Sequence, residues 1–290
     1  MVYEIHSLLG DEVERDHLGR GPKFRAYLAL ERRVWRTAAA VITLGEGVRD
    51  VVVEEKGVPA DRVSVIYPGI DLTEFDRPSG PVAIPGIEDD HEIVMYVGSI
   101  VHPNQGVPLL IEALPKIFAE RPMARCVLVG GPAEAGEEYQ RRLSSFGDRL
   151  IVLTGRTPDE VVALTKRANV LVHPRLACRE NFSVQSKIAV YLASGRPIVA
   201  TDFADYQKLL GETGAGRLTP ISPEAIAEGV VEVLGAPELA QRLSAATASV
   251  ARDFFGMEAN IDRYLEVYRQ AMAEGPQRKR PAGTHTRSIA

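Results

Sequence analysis

EIVMYVGSIVHPNQGVPLLIEALPKIFAERPMARCVLVGG, at residues 92–131, decides the fold of this chain. An apolar run at 92–100 is followed by a helical pattern from about Gln105 to Glu120 and by a second apolar run at 124–131. Neither run alternates polar with apolar residues, which is typical of strands buried on both faces of a sheet. The stretch therefore predicts two parallel strands connected by a helix.

The same alternation continues toward the C-terminus. Four more apolar runs follow, LIVLTGR (150–156), NVLVHPR (169–175), RPIVATD (196–202) and AGRLTP (215–220). Helical patterns lie at about 137–146, 158–168 and 183–194, and three helical stretches follow the last run. Six such runs separated by helices predict an α/β domain with a doubly wound, Rossmann-like parallel sheet.

The N-terminal part contains fewer strands. VYEIHSL (2–8), AVITLG (40–45) and RVSVIYPG (62–69) are strand-like, and helices are predicted at about 22–37 and 46–56. Three strands predict a partial Rossmann-like domain. Residues 77–90 are rich in proline, glycine and acids, which is typical of an interdomain linker.

The composition is that of a globular protein, with 45% hydrophobic residues among 290 and a formal net charge of −5. Acids and bases are intermixed, which argues against a nucleic-acid binder and favours small molecules as partners. Cys126 and Cys178 show neither disulfide nor metal-ligand spacing. No apolar run is long enough to span a bilayer, and residues 1–16 do not resemble a signal peptide, so we expect a cytoplasmic protein.

Candidate ligand sites lie beyond the carboxyl ends of the strands, where helix N-termini present unpaired N–H groups. The loop from Gly98 to Gly106 joins a strand to a helix without a bulky side chain at its start, which suits a close approach of phosphate. A tight turn explains these glycines equally well. The loop VGGPAEAG (129–136) lacks the spacing of a dinucleotide-binding fingerprint.

The loop after the fourth run is the richest in polar residues. It contains Arg175, Arg179, Glu180, Asn181, Ser183 and Lys187. A helix predicted to start near Ser183 can offer N–H groups to a phosphate that Arg175 and Lys187 neutralise. Glu180 can accept hydrogen bonds from sugar hydroxyls. Alternatively, Ser183 is only a helix cap, and Arg179 and Glu180 form a solvated pair.

The helix predicted at 22–36 combines apolar and basic residues. These are Phe24, Tyr27, Leu28 and Val34 with Lys23, Arg25, Arg32, Arg33 and Arg36. Such a helix can rest on an anionic membrane, which would place the protein peripherally at the inner membrane face. Packing of the apolar residues against the N-terminal sheet is the favoured interpretation.

In combination, these motifs resemble a known family. YVGSI-x5-GVPLLIEAL, CVLVGG, VLTGR, ANVLVHPR and SKIAVYLASGRPIVATD follow one another as in the donor domain of glycosyltransferase family 4, retaining transferases with the GT-B fold. VYEIHSL, ERRVWRTAAAVITLGEGV and VSVIYPGIDLTEF resemble the second half of that family's N-terminal domain. The resemblance covers about residues 1–273.

The resemblance implies a domain organisation and a site. It divides the chain into a partial N-terminal domain with its linker (1–83), a nucleotide-sugar-binding domain (84–256), a helix that crosses back (257–273) and a disordered basic tail (274–290). His6 would face the reacting sugar. The donor would contact Gly98, Ser99, Gln105, Arg175, Glu180, Asn181, Phe182, Ser183, Val184 and Lys187, with its diphosphate on the N-terminus of the Ser183 helix.

Three positions depart from the family's pattern. Where the family has a basic residue and a lysine on the diphosphate, this chain has Ser99 and Gln105. The second acid of the family's E-x7-E pair would fall at Ile188 or Val190, neither of which is acidic. The family's N-terminal domain also begins with further residues, including a glycine-rich loop.

These observations leave three hypotheses open. The first is the retaining glycosyltransferase that the resemblance implies, without a cofactor and metal-independent, since the chain has no D-x-D motif of the kind that holds a metal ion. It would use a nucleotide-diphosphate sugar and a sugar, lipid-linked or small-molecule acceptor. The second is a non-catalytic nucleotide-sugar-binding subunit, or an inactive remnant, that needs a second chain for its N-terminal half. The third is a nucleotide-sugar epimerase of the GT-B type.

Overall fold

The structure is a computed structural model that describes residues 1–6, 8, 21–77, 80 and 82–273, without the side chains of Arg179 and Glu180. Within these residues the chain forms one sheet of three strands and one of six, and all strand pairs are parallel. The tail predicted at 274–290 lies outside the described residues.

The strands are β1 (Val2–Ile5), β2 (Ala40–Thr43), β3 (Val63–Val65), β4 (Glu92–Val97), β5 (Ala124–Val129), β6 (Leu150–Leu153), β7 (Val170–His173), β8 (Ile198–Thr201) and β9 (Arg217–Thr219). The α-helices are α1 (Pro22–Thr37), α2 (Glu46–Asp50), α3 (Thr73–Asp76), α4 (Val107–Glu120), α5 (Ala133–Arg142), α6 (Pro158–Arg167), α7 (Ser186–Ala193), α8 (Pro223–Gly235), α9 (Pro237–Val250) and α10 (Met257–Ala273). Short 3₁₀ or π turns adjoin several of them, including Pro103–Gln105 before α4 and Val51–Glu55 after α2.

The larger sheet has the order β6-β5-β4-β7-β8-β9. The chain moves outward from β4 to β6, returns to the centre at β7 and moves outward on the other side. Strand order therefore reverses between β4 and β7, which is where a doubly wound sheet opens a crevice for a ligand. The loops that follow these two strands begin at Gly98 and Pro174.

The inner strands of the larger sheet, β4, β5, β7 and β8, are buried because helices cover both faces. Met95 and Leu171 pack into one apolar cluster, whereas the neighbouring Val94 and Val170 pack into a second cluster on the opposite face. All four side chains are fully buried. The continuous apolar runs follow from this double burial, and the predicted doubly wound α/β fold with a smaller parallel sheet before it is confirmed.

Two predicted helices begin three or four residues away from the predicted start. The helix predicted at 183–194 begins only at Ser186, because Ser183 is extended and the amide of Val184 donates to the Leu44 carbonyl oxygen at 2.9 Å. Ser183 therefore does not cap this helix. The helix predicted at 137–146 begins at Ala133, directly after Pro132, and ends at Arg142.

Helix α1 packs on the three-stranded sheet through one fully buried residue, Trp35. Val34 packs against the same apolar cluster as Trp35, whereas Phe24 and Leu28 are half-buried and Tyr27 is 39% exposed. The basic residues Lys23, Arg25, Arg32, Arg33 and Arg36 are all exposed. The helix is thus held at its C-terminal end and presents its basic face to solvent.

The two sheets are connected through a buried carboxylate. Oδ2 of Asp205 accepts hydrogen bonds from the Glu46 amide and the Tyr67 hydroxyl, both at 2.8 Å, and Oδ1 accepts from the Gly47 amide at 3.3 Å. Burial raises the pKa of Asp205, although these hydrogen bonds act to lower it. The first amides of α2 are thus capped by a side chain from the other sheet.

Asp205→Ala leaves two amides and a hydroxyl without their acceptor, so we expect the free energy of unfolding to fall by about 2–4 kcal/mol. Asp202→Ala is the matched control, because Asp202 is an exposed acid of the same loop. Urea unfolding followed by circular dichroism measures both variants. Equal unfolding midpoints for the two variants would contradict the connecting role of Asp205.

Candidate functional site

The first wall of the crevice is the loop after β4, and it depends on two glycines. Gly98 has φ +146°, and a Cβ there would lie 2.5 Å from Nζ of Lys187. Gly106 has φ +70°, and a Cβ there would lie 1.4 Å from the Pro174 carbonyl oxygen. The absence of a side chain at Gly106 therefore lets the start of α4 contact the chain at the end of β7.

Arg175, directly after β7, is only 1% exposed. Its guanidinium donates to Oδ1 of Asn181, and its carbonyl oxygen accepts from the Thr201 hydroxyl at 2.8 Å. Nδ2 of Asn181 donates to the carbonyl oxygens of Asn104, at 3.1 Å, and Leu176, at 2.6 Å. Asn181 thus connects the two loops of the crevice, a role that the sequence did not predict.

Lys187 reaches across the crevice from the first turn of α7. Its ammonium donates to Oε1 of Gln105 and, at 3.1 Å, to the Tyr96 hydroxyl, and it lies 4.9 Å from the centre of the Tyr96 ring. All of these partners are neutral. Burial, and then the nearby Arg175 charge, lower the pKa of Lys187 to about 7.

Ser99 and Gln105, both predicted to contact the donor, lie beside the Tyr96 hydroxyl. The Ser99 carbonyl oxygen accepts from the Tyr96 hydroxyl at 3.0 Å. Gln105 is buried, with Nε2 donating to Oδ1 of Asn104 at 3.2 Å. Gly98, Ser99, Gln105, Arg175 and Lys187 are therefore brought together at the carboxyl ends of β4 and β7.

Residues 182–184 contact the three-stranded sheet instead. Phe182 stacks on Phe203, with ring centres 5.6 Å apart, and packs into the apolar cluster that contains Trp35. Ser183 donates its hydroxyl to the His6 carbonyl oxygen at 2.9 Å. Val184 is buried. These three residues line the junction of the sheets and not the centre of the crevice.

His6 follows β1 and is therefore placed beside Ser183 through its main chain. Its imidazole is exposed and lies 3.3 Å from a carboxylate oxygen of Glu4. The side chain of Glu180, the predicted partner of sugar hydroxyls, lies outside the described residues.

Sequence reasoning missed several polar groups because they lie within or beside apolar runs. The Tyr191 hydroxyl accepts from the Val97 amide at 2.7 Å, and Nε2 of His173 lies 2.7 Å from the Tyr206 hydroxyl. Burial, followed by the charges of Lys187 and Arg175, holds the pKa of His173 well below its usual value. A histidine at the carboxyl end of a buried strand is the signal that could have identified His173, whereas Tyr191 on α7 and Tyr206 after β8 carry no such signal.

Two negative observations concern the described residues only. Nowhere in residues 1–6, 8, 21–77, 80 and 82–273 do three His, Cys, Asp or Glu side chains cluster as a metal site would require. Among the helices formed by these residues, none combines the length and the apolar content that a bilayer crossing needs.

Curated relatives are longer than this chain. An uncharacterised glycosyltransferase of Methanocaldococcus jannaschii is 29% identical over 219 residues, which cover 72% of this chain and 54% of the relative. A D-inositol 3-phosphate glycosyltransferase of Streptomyces bingchenggensis is 26% identical over 288 residues, or 94% of this chain and 62% of the relative.

The fold matches solved structures of the GT-B type. The Anabaena protein HepE, solved in complex with UDP and glucose, superimposes with a TM-score of 0.71 at 18% identity, covering 92% of this chain and 71% of HepE. The model of the group 1 glycosyl transferases matches residues 91–236, half of the chain, and that of glycosyltransferase family 4 matches residues 1–74. The chain therefore belongs to glycosyltransferase family 4.

Proposed function

We propose that the chain binds a nucleotide-diphosphate sugar in the crevice between Gly98 and Lys187 and transfers the sugar to an acceptor hydroxyl. The observation that carries this proposal is the placement of two cations, the fully buried Arg175 and the partly buried Lys187, at the carboxyl ends of β4 and β7, with the Lys187 ammonium against Gly98. A diphosphate carries negative charge on several oxygens and has the chemistry to occupy such a site. The UDP bound in the HepE structure of the same fold is consistent with it.

The proposed transfer keeps the configuration of the sugar and uses neither a metal ion nor a protein nucleophile. The bond between the anomeric carbon and the diphosphate oxygen breaks, and a bond to the acceptor oxygen forms on the same face. The acceptor proton passes to the leaving diphosphate. The contribution of the protein is then to stabilise charge on the diphosphate in a site from which water is largely excluded.

A nucleotide titration tests the site. We expect one of UDP, GDP and ADP, with its sugar conjugates, to raise the melting temperature of the 290-residue chain by about 5 °C near saturation, because the ligand binds only the folded state. Lys187→Gln is expected to weaken this binding about tenfold or more. Lys116→Gln, at an exposed ion pair with Glu228, is the control for loss of a lysine charge.

No shift with any nucleotide, in a sample that unfolds cooperatively, would rule out the donor site. Where binding is found, product analysis separates the activities. Free nucleotide with a new glycoside supports transfer, whereas an epimer of the donor supports the epimerase.

The binding is also expected to depend on pH. Because the pKa of Lys187 in the empty site is about 7, the lysine loses its positive charge as the pH rises above 7, and affinity for a nucleotide sugar falls. Below pH 7 the affinity is constant. Burial keeps His173 and Tyr96 from titrating nearby, since it lowers the pKa of His173 and raises that of Tyr96.

Calorimetric titration between pH 6 and 9 measures this effect, with a decrease of up to about tenfold per pH unit above 7. A nucleotide sugar is the ligand of choice because it has no terminal phosphate with a pKa of about 6. Lys187→Arg is the matched variant, since arginine stays charged throughout the range and should give a flat profile. A flat profile for the unchanged chain would contradict the assignment.

A second candidate function, a subunit that needs another chain, is favoured by an exposed surface on α10. Its apolar residues Met257, Ile261, Leu265, Tyr268 and Met272 are 44–81% exposed. Their spacing of three or four residues places them in one stripe about 22 Å long. Beside the stripe, Tyr264 donates to Glu4 of β1 at 2.7 Å, and no described strand pairs with the other edge of β1.

An apolar stripe beside an unpaired strand edge is a surface that another polypeptide can cover by adding a strand and a helix. In this case the isolated chain binds the nucleotide sugar but transfers nothing. A partner copurified from the native source restores transfer. Leu265→Asp abolishes copurification and leaves nucleotide binding unchanged, whereas Met123→Asp, at an exposed apolar residue away from α10, changes neither. Full transfer by the isolated chain would exclude this function.

A further inference from the structure

The side chains of Gln105 and Lys187 end at the same point of the crevice. Gln105 is the last residue of the 3₁₀ turn before α4, and Lys187 lies in the first turn of α7, so the two approach from opposite walls. Oε1 of Gln105 accepts a hydrogen bond from the Lys187 ammonium. Nζ of Lys187 also lies against Gly98, where an added Cβ would be 2.5 Å from it.

The amide of Gln105 is held in one orientation. Nε2 donates to Oδ1 of Asn104 at 3.2 Å, and the Tyr96 hydroxyl lies 3.3 Å from Oε1. An ammonium has only donors, so it can meet only the oxygen end of an amide. Fixing Oε1 toward the crevice therefore fixes where the ammonium of Lys187 lies.

The contact between Gln105 and Lys187 orients the positive charge of the lysine as well as packing the two side chains together. Oε1 of Gln105 and the hydroxyl of Tyr96 are neutral acceptors, so they orient the ammonium without neutralising it. A glutamate at position 105 would pair with the lysine and cancel its charge, and an alanine would leave it without its strongest acceptor.

We propose that Gln105 is a positioning residue that holds the Lys187 ammonium over Gly98 for the diphosphate of the donor, and that the positive charge can be supplied from either wall. This inference rests on the proposed nucleotide-sugar site. A lysine side chain is longer than a glutamine side chain by about one bond, so exchanging the two residues conserves their combined length. The exchanged pair places an ammonium and an amide oxygen at the same contact, with the charge attached to the loop before α4.

The exchange is the test. Lys187→Gln alone is expected to weaken nucleotide-sugar binding about tenfold or more, and Gln105→Lys/Lys187→Gln to restore it to within about threefold of the unchanged chain. Gln105→Ala is expected to weaken binding about three- to tenfold and to move the midpoint of the pH profile to lower pH, because a hydrogen bond that favoured the charged lysine is lost. Binding is measured by calorimetry from pH 6 to 9.

Two outcomes would overturn the inference. One is a double variant that binds no better than Lys187→Gln, although it unfolds at the temperature of the unchanged chain. The other is a Gln105→Ala variant with unchanged affinity and pH midpoint, which would make Gln105 a packing residue only. A purely structural role for Gln105 lowers the melting temperature without moving the pH midpoint. Failure of the unchanged chain to bind any nucleotide sugar is a separate result, which rejects the donor site itself.

Discussion

The carboxylate of Asp205 connects the loop after β8 to the first turn of α2, and through it the two sheets. This single side chain accepts hydrogen bonds from two main-chain amides and a tyrosine hydroxyl, all from the part of the chain that contains the three-stranded sheet. Desolvation of a carboxylate is costly, and these three donors offset that cost. Because Asp205 follows β8, it anchors the loops at the carboxyl end of the larger sheet, next to the place where strand order reverses.

The crevice places two positive charges where the access of water is limited. Arg175 is fully buried, and the ammonium of Lys187 is desolvated enough to titrate near neutrality. Each cation raises the free energy of the other in the empty site, which favours the arrival of an anion. The printed partners of the Lys187 ammonium are neutral, namely the amide oxygen of Gln105 and the hydroxyl of Tyr96. The ammonium of Lys187 is thus oriented by dipoles and remains available to a charged ligand.

The sequence predicted the sheets well and the crevice only in part. Continuous apolar runs report burial on both faces, which is why β4 to β9 could be recognised, and the polar segment from Arg175 to Lys187 could be found because it follows a buried strand. The start of α7 at Ser186 could not, since Ser183 and Val184 make hydrogen bonds with residues far away in the chain. The contact of Lys187 with Gln105 joins residues 82 positions apart, and no local pattern encodes such a distance.

Residues 183 and 184 lie in the segment between β7 and α7, but they make hydrogen bonds with residues that directly follow β1 and β2 of the smaller sheet. Ser183 Oγ to the His6 carbonyl oxygen and the Val184 amide to the Leu44 carbonyl oxygen are both 2.9 Å long. A relative displacement of the sheets by about 1 Å would take both contacts beyond hydrogen-bonding distance. The loop that leads into α7 is thus bonded to both parts of the molecule, and its conformation depends on how the two sheets are aligned.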